Sequence, residues 1–468
     1  MKNLFIFIIL IVFTQSTLGQ EKIHDAVIVG GGLAGLSSAY YLNNENVLVL
    51  EKNEATGGRI IDGQWKGFHY PKGTEYMGEP DGLLKKLINR LGLELITVPP
   101  PTDGISYKNK IYSKDKINDF LPNEEVKKQF MQLQRKFEML DKATEDIVWG
   151  NQPLGEYAYL DNMSVKEWLD KQNIHPLIQQ YINIENLGLF GANNAELSIL
   201  YNINEMAYDI PDPEDYLESE VYSFPNGMIE LSEALQQQMK GDIELGAEVI
   251  DIKKRSNNLI ETTYRQKGTT KTVLSKSIIV TTPAPIAHKL LKNELSSKAM
   301  NNLARIDYGQ YFTVNIFTSE RWLSEAWTIS NLDNFFTSIY DVTRMQTPVG
   351  HNGESIISAY IPALSAKDKD FIYQTDDEVM KKTTQELEQF FPGFSKSVLG
   401  CDIQRFKYAY PVFGKGYYHI LQTLRTDPST NGPIFLAGDY MQFAVVDGAI
   451  YSAHTAAKKV KKYLKSID

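Results

Sequence analysis

Disulfide chemistry within the chain is excluded, because its 468 residues contain a single cysteine, Cys401. Core burial and any bound group must hold the fold instead. Cys401 stands in SVLGCDIQRF with neither His nor Cys beside it, which predicts a buried packing residue rather than a nucleophile. Histidine is sparse too. None of the 7 histidines lies four residues from another, and neither H-E-x-x-H nor G-x-S-x-G occurs, so zinc and serine-hydrolase chemistry find no support and no metal site is expected. Positive charge is in deficit, with 48 Lys+Arg against 58 Asp+Glu. That excludes nucleic acid as the expected partner, since neutralising phosphates takes clustered Lys and Arg. The acidic balance suits either a cationic substrate or plain solubility. There is no internal repeat and no low-complexity linker.

Long apolar runs are missing except at the start. Leu4–Phe13 (LFIFIILIVF) follows the basic Lys2, and Thr17-Leu18-Gly19 supplies small residues in the cleavage pattern. The run is too short to span a bilayer. Residues 1–19 therefore read as a signal peptide cut after Gly19, with export to a periplasmic or extracellular space; a short retained anchor is the alternative. No membrane span is expected once it is removed. The Lys-rich end (Lys458, Lys459, Lys461, Lys462, Lys465) most simply faces water near a helix C-terminus.

What is present is a nucleotide-binding pattern. Ala26–Val29 reads as a buried strand, followed by Gly30-Gly31-Gly32-Leu33-Ala34-Gly35, an apolar helix, and a second buried strand Val47–Leu50 ending at Glu51. Gly30, Gly32 and Gly35 form G-x-G-x-x-G: a tight turn, a close backbone approach to a pyrophosphate, and close helix–strand packing. Leu33 and Ala34 open the helix whose N–H groups face the phosphates. Glu51, followed by Lys52, stands where a carboxylate accepts from both ribose hydroxyls, which disfavours a 2′-phosphate. Further along, Gly57-Gly58-Arg59 offers a chain passing over the pyrophosphate with a cation for a phosphate oxygen. Gly73-Thr74-Glu75 begins a second small-residue turn. Gly438-Asp439 ends the last strand, Ile434–Ala437, and a helix starts near Asp447-Gly448-Ala449.

Residues 80–220 read as mainly helical. Asn123 caps a helix with Val126, Phe130, Leu133, Phe137 and Leu140 on one face, and Ser164/Glu167 and Thr375/Glu378 have capping-box spacing. Strand-like pieces recur at 248–253, 277–281, 311–317 and 355–360. The expected fold class is therefore α/β, with a discontinuous Rossmann-like domain and an inserted α+β domain. The boundaries are set at 22–98, 222–286 and 404–468 for the first and at 99–221 and 287–403 for the second.

The blocks DAVIVGGGLAGLSSAYYL, VLVLEKNEATGGRI, YPKGTEYMG, FPNGM, GAEVIDI, TTPAP and FLAGDYMQFAVVDGAIYSA together resemble the flavin-containing amine oxidase superfamily, which includes monoamine and polyamine oxidases, protoporphyrinogen oxidase and phytoene-desaturase-like enzymes. The resemblance spans almost the whole chain and implies FAD as cofactor and a small-molecule substrate. It places Val249 at the adenine end, Asp439 on a ribityl hydroxyl, and Asp447-Gly448-Ala449 near the flavin pyrimidine edge. Tyr408–Tyr418 contains no Cys of the kind monoamine oxidases use, which implies non-covalent FAD. The Lys that amine oxidases often place near the flavin is replaced here: Thr313 occupies the matching strand. An aromatic partner for the substrate falls to Tyr417 or Tyr418, both of which also suit plain packing. Three outcomes stay open: an amine oxidase passing electrons to oxygen, a carbon–carbon desaturase or protoporphyrinogen/isoprenoid oxidase, and a non-catalytic flavin-binding protein.

Overall fold

A computed structural model describes residues 22–98, 104–150, 152–209, 221–323, 326–333, 335–345 and 353–467. The expected signal peptide, 1–19, lies outside the described residues. The apolar runs at 26–29, 47–50 and 277–280 are continuous rather than alternating, which suits strands covered on both faces. They become the centre of one sheet. Ile23–Val29 pairs in parallel with Val47–Leu50 on one side and with Thr269–Val280 on the other. Asp242–Glu244 adds to Val47–Leu50, and Ile434–Leu436 adds to Thr269–Val280, both in parallel. An antiparallel extension, Glu248–Lys254 and Ile260–Gln266, continues from Thr269–Val280. Helix Leu33–Tyr41 is almost entirely buried, and its residues share an apolar core with the last helix, Val446–Ile467, and with Ile229–Gln238.

A second sheet of seven strands runs in the order Val398–Pro411, Tyr308–Thr318, Ser355–Pro362, Ser338–Asp341, Thr328–Asn331, Gly104–Tyr107, Lys110–Ser113. Every residue of Tyr308–Thr318 is buried, as befits its central position. Helix Pro176–Phe190 packs on this sheet, and helices Glu124–Val148 and Ile199–Asp209 pack on each other. The Asn123 cap and both capping boxes form as their spacing predicts. The boundary expected at 403/404 falls inside a strand. Residues on both sides of it belong to Val398–Pro411, which pairs along its length with Tyr308–Thr318. Polar and apolar residues are mixed along that strand, which hides its period. Cys401, expected to be buried, is exposed in it.

The two sheets meet across residues 65–75. Trp65 stacks on Phe317 with ring centroids 4.8 Å apart. The Tyr70 hydroxyl donates to Asp402 at 2.7 Å, and Lys72 pairs with the same carboxylate at 2.6 Å. Asn315 donates to the Pro71 carbonyl at 3.1 Å. These polar links fix how the second sheet faces the first, and so what stands over the glycine turn.

Candidate active site

The glycine turn is built as a surface of bare backbone. Gly30 has φ +107°, a conformation open to glycine, and a Cβ on Gly35 would lie 1.9 Å from the Gly30 carbonyl oxygen. Helix Leu33–Tyr41 starts at Gly32 with no side-chain cap and no acidic residue in its first turn. Its first N–H groups and dipole therefore remain for an anion. Glu51 closes one end: one oxygen accepts from Gly31 N–H at 2.6 Å, the other from Asn53 N–H at 2.8 Å. The adjoining segment is tied to Glu51 as well, with Ala247 N–H donating to its carbonyl at 2.7 Å. Val249, two residues on, is half-buried in the neighbouring strand, whereas Lys52 is exposed.

The other expected residues converge on the same groove. Gly57 N–H donates to the Gly31 carbonyl at 2.9 Å, and a Cβ on Gly32 would meet Gly58 Cα at 3.6 Å. Thr281, in the TTPAP segment, donates to the Val29 and Gly30 carbonyls at 2.9 and 3.2 Å. Arg59 pairs with Asp439 at 2.8 Å and donates to the Ala409 carbonyl. Burial alone would lower the Arg59 pKa, but the Asp439 carboxylate more than offsets this and holds it fully charged. Thr74 N–H donates to the Arg59 carbonyl at 3.0 Å, and Gly73 packs on that same carbonyl. Gly438 donates to Ser452 at 2.9 Å, while Ser452 donates to Ala449, which joins the last strand to the helix carrying Asp447, Gly448 and Ala449. A side chain on Gly448 would strike the Phe443 carbonyl. Burial pushes the Asp447 carboxyl up to about 6, with Asp81 adding to the rise.

These residues fit FAD on the geometry alone. The turn leaves backbone N–H groups uncapped, Thr282 Oγ1 is buried beside it without a partner among the described residues, and an acidic side chain, Glu51, closes the turn while a basic one, Arg59, stands on the glycine pair beside it. A family model described as flavin containing amine oxidoreductase matches residues 33–461. The chain belongs to this family. As a flavin-containing amine oxidoreductase it is an FAD-dependent oxidoreductase. It is 21% identical to protoporphyrinogen oxidase 1, chloroplastic, of Arabidopsis thaliana, over 96% of this chain and 91% of that protein. It is 23% identical to the L-amino-acid oxidase of Vipera ammodytes ammodytes, over 93% and 92%. The fold superposes on putrescine oxidase bound to putrescine with TM-score 0.75 at 19% identity, covering 94% of this chain and 99% of that one. It also superposes on a putative protoporphyrinogen oxidase from Exiguobacterium sp. 255-15, with TM-score 0.72 at 17% identity over 93% and 98%.

On the substrate side the amine oxidoreductase departs from several sequence expectations. Tyr417 is buried, its hydroxyl donates to the Tyr440 carbonyl at 2.9 Å, and its ring packs 4.2 Å from Phe413, so packing is its visible role. The Tyr418 hydroxyl donates to the Gln152 carbonyl at 3.4 Å, at the molecular surface. Thr313 is buried and lies opposite Tyr360 and Gln404, hence on one sheet face with them. That face leads to a residue expected with the cofactor turn. The Glu75 carboxyl turns to the second sheet instead and accepts from the Tyr360 hydroxyl at 3.0 Å, leaving Oε1 buried without a partner among the described residues.

Around Glu75 stands a cluster of packed tyrosines that sequence reasoning missed. Tyr360 packs 5.0 Å from Tyr340 and 6.3 Å from Tyr311, which lies 5.8 Å from Tyr410. Tyr340 feels the charge of both Glu75 and Glu185. Burial pushes the Glu75 carboxyl up to about 8 and the Glu185 carboxyl to about 7. Among the described residues no cationic side chain pairs with either. Glu185 sits in an ordinary helical pattern, and nothing local marks it as facing a site.

Proposed function

We propose that the substrate is a small amine, oxidised at a carbon–nitrogen bond to the imine, with oxygen reduced to peroxide. The observation that carries this reading is the buried carboxyl oxygens of Glu75 and Glu185, with no cationic side chain beside them among the described residues. A buried carboxyl of this kind stays neutral until an opposite charge arrives. A substrate ammonium supplies that charge and gains a counter-ion in return. As the ammonium binds, Glu75 releases its own proton to solvent, and Oε1 is then the atom that takes up the substrate proton as the amine becomes neutral. Tyr340, Tyr360, Tyr311 and Tyr410 present ring faces and edges that suit a cation and exclude water. FAD, when bound, supplies the hydride acceptor. Gly30–Gly35, Glu51, Arg59, Asp439 and Asp447–Ala449 are the residues proposed to hold it.

Anaerobic mixing of the holoprotein with primary, secondary and polyamines tests the reading: bleaching of the flavin, then peroxide on admitting air, is expected. Thr313 in place of a Lys favours a second reading, a desaturase or protoporphyrinogen-type oxidase. Bleaching by a polyene or porphyrinogen but by no amine selects it. Reduction by dithionite alone selects a flavin-binding protein without catalysis. Export through residues 1–19 also belongs to the proposal, and a mature N-terminus at Gln20 is the expected mass-spectrometric result.

A further inference from the structure

Away from the glycine turn, a cavity of about 190 Å³ opens between the C-terminal helix, the end of helix Tyr417–Thr426 and the loop after the last strand. Neither Glu51 nor Arg59 lines it, but two cations do, Arg425 and Lys459. Arg425 Nε and Nη2 donate to the Met441 carbonyl at 3.3 and 2.9 Å, and Nη2 also reaches Gln442 at 2.5 Å. Nη1 makes no hydrogen bond with the described residues. Lys459 Nζ donates to the Arg425 carbonyl at 3.0 Å, with two N–H bonds to spare. Thr455 and Tyr451, one and two helical turns before Lys459, line the same cavity with hydroxyls that have no partner among the described residues.

No carboxylate of the described residues pairs with Arg425 or Lys459. Burial lowers the pKa of both, and Lys459 is lowered further by Arg425 itself. Both side chains are half-buried, and a partly desolvated cation gains from a counter-ion. Here the spare donors of two cations and two hydroxyls, which can also donate, come from two helices around a space larger than one water needs. That arrangement asks for an anion with acceptor oxygens pointing in several directions, rather than a planar group with two. We propose that this cavity binds a small tetrahedral oxyanion of the phosphate class between Arg425 and Lys459.

The test is calorimetric titration of the FAD-loaded full chain with inorganic phosphate at constant ionic strength, the bound cofactor keeping the pyrophosphate groove filled. Saturable binding of one phosphate per chain is expected. Lys459→Met is expected to weaken it about tenfold or more, in line with loss of a charge-assisted contact, while the flavin spectrum stays unchanged. Thr455→Val removes a smaller donor, is expected to weaken binding less, and serves if Lys459→Met loses its flavin. Sulfate competing with phosphate supports the proposal. Absence of saturable phosphate binding overturns it, as does undiminished binding in both variants or tighter binding of acetate than of phosphate.

Discussion

Gly35→Ala tests the reading of the glycine turn most directly, because the clash it creates is backbone against backbone. The new Cβ would sit 1.9 Å from the Gly30 carbonyl oxygen and 3.0 Å from its carbon. No rotamer relieves this, so the helix start must move about 1.5 Å from the strand end to restore ordinary contact. A forced overpacking of this size costs about 1–3 kcal/mol. The same movement carries the N–H groups of residues 33–35 off the position that a pyrophosphate oxygen requires. Losing one charge-assisted hydrogen bond is worth about 1.5–3 kcal/mol, or roughly tenfold to a hundredfold in Kd. Fluorescence titration of refolded apoprotein with FAD is the assay, alongside thermal melting. Gly78→Ala is the control, since nothing lies within 4 Å of its Cβ position; its effect is expected within about 0.5 kcal/mol. A Gly35→Ala protein that melts lower yet binds FAD like the parent would refute the placement of the phosphates at this helix.

Other expectations follow from the site. Between its ordinary value of 4.5 and its folded value of about 8, Glu75 keeps a proton that the unfolded chain has released, so its contribution to stability falls as pH rises through that window. Glu75→Gln should flatten the melting temperature between about pH 5 and 8 and gain on the parent at the alkaline end, while raising KM for amines. Arg59→Ala leaves the buried Asp439 carboxylate without its ion pair. With Arg59 itself partly exposed, a loss of about 1–3 kcal/mol is expected by denaturant melting, together with weaker FAD binding. Acid precipitation should leave a colourless pellet and yellow supernatant, because Tyr408–Tyr418 offers no thiol for flavin attachment; colour in the pellet would show a covalent link.

The glycine turn was legible because its parts are local and chemically costly to replace. Gly30, Gly35 and Glu51 act within one strand–helix–strand unit, so spacing alone places them. The Asn123 cap and both capping boxes were legible for the same reason, each spanning a single helical turn. What escaped depends on contacts between distant segments. The Arg59–Asp439 pair joins residues far apart in sequence, and either side chain alone reads as a phosphate or ribityl ligand. Val398–Pro411 shows no clean alternation, since Asp402 is drawn to Tyr70 and Lys72 of the first unit. Glu75 was read with its glycine neighbours, yet its carboxyl answers to Tyr360, 285 residues on. Tyr417 and Glu185 show the converse ambiguity: nothing local tells an aromatic that fills a core from one that meets a substrate, or a buried acid near tyrosines from a surface one.

The parallel sheet draws its strands from opposite ends of the polypeptide, and Thr269–Val280 separates the first strand from the last. During synthesis, the turn at Gly30 emerges long before Thr281 can brace it or Asp439 can meet Arg59. With the cofactor held as proposed, flavin capture is expected to be a late event, completed only when the final helix has docked, and a chain halted before Gly438 should emerge apo however much of its N-terminal half has folded.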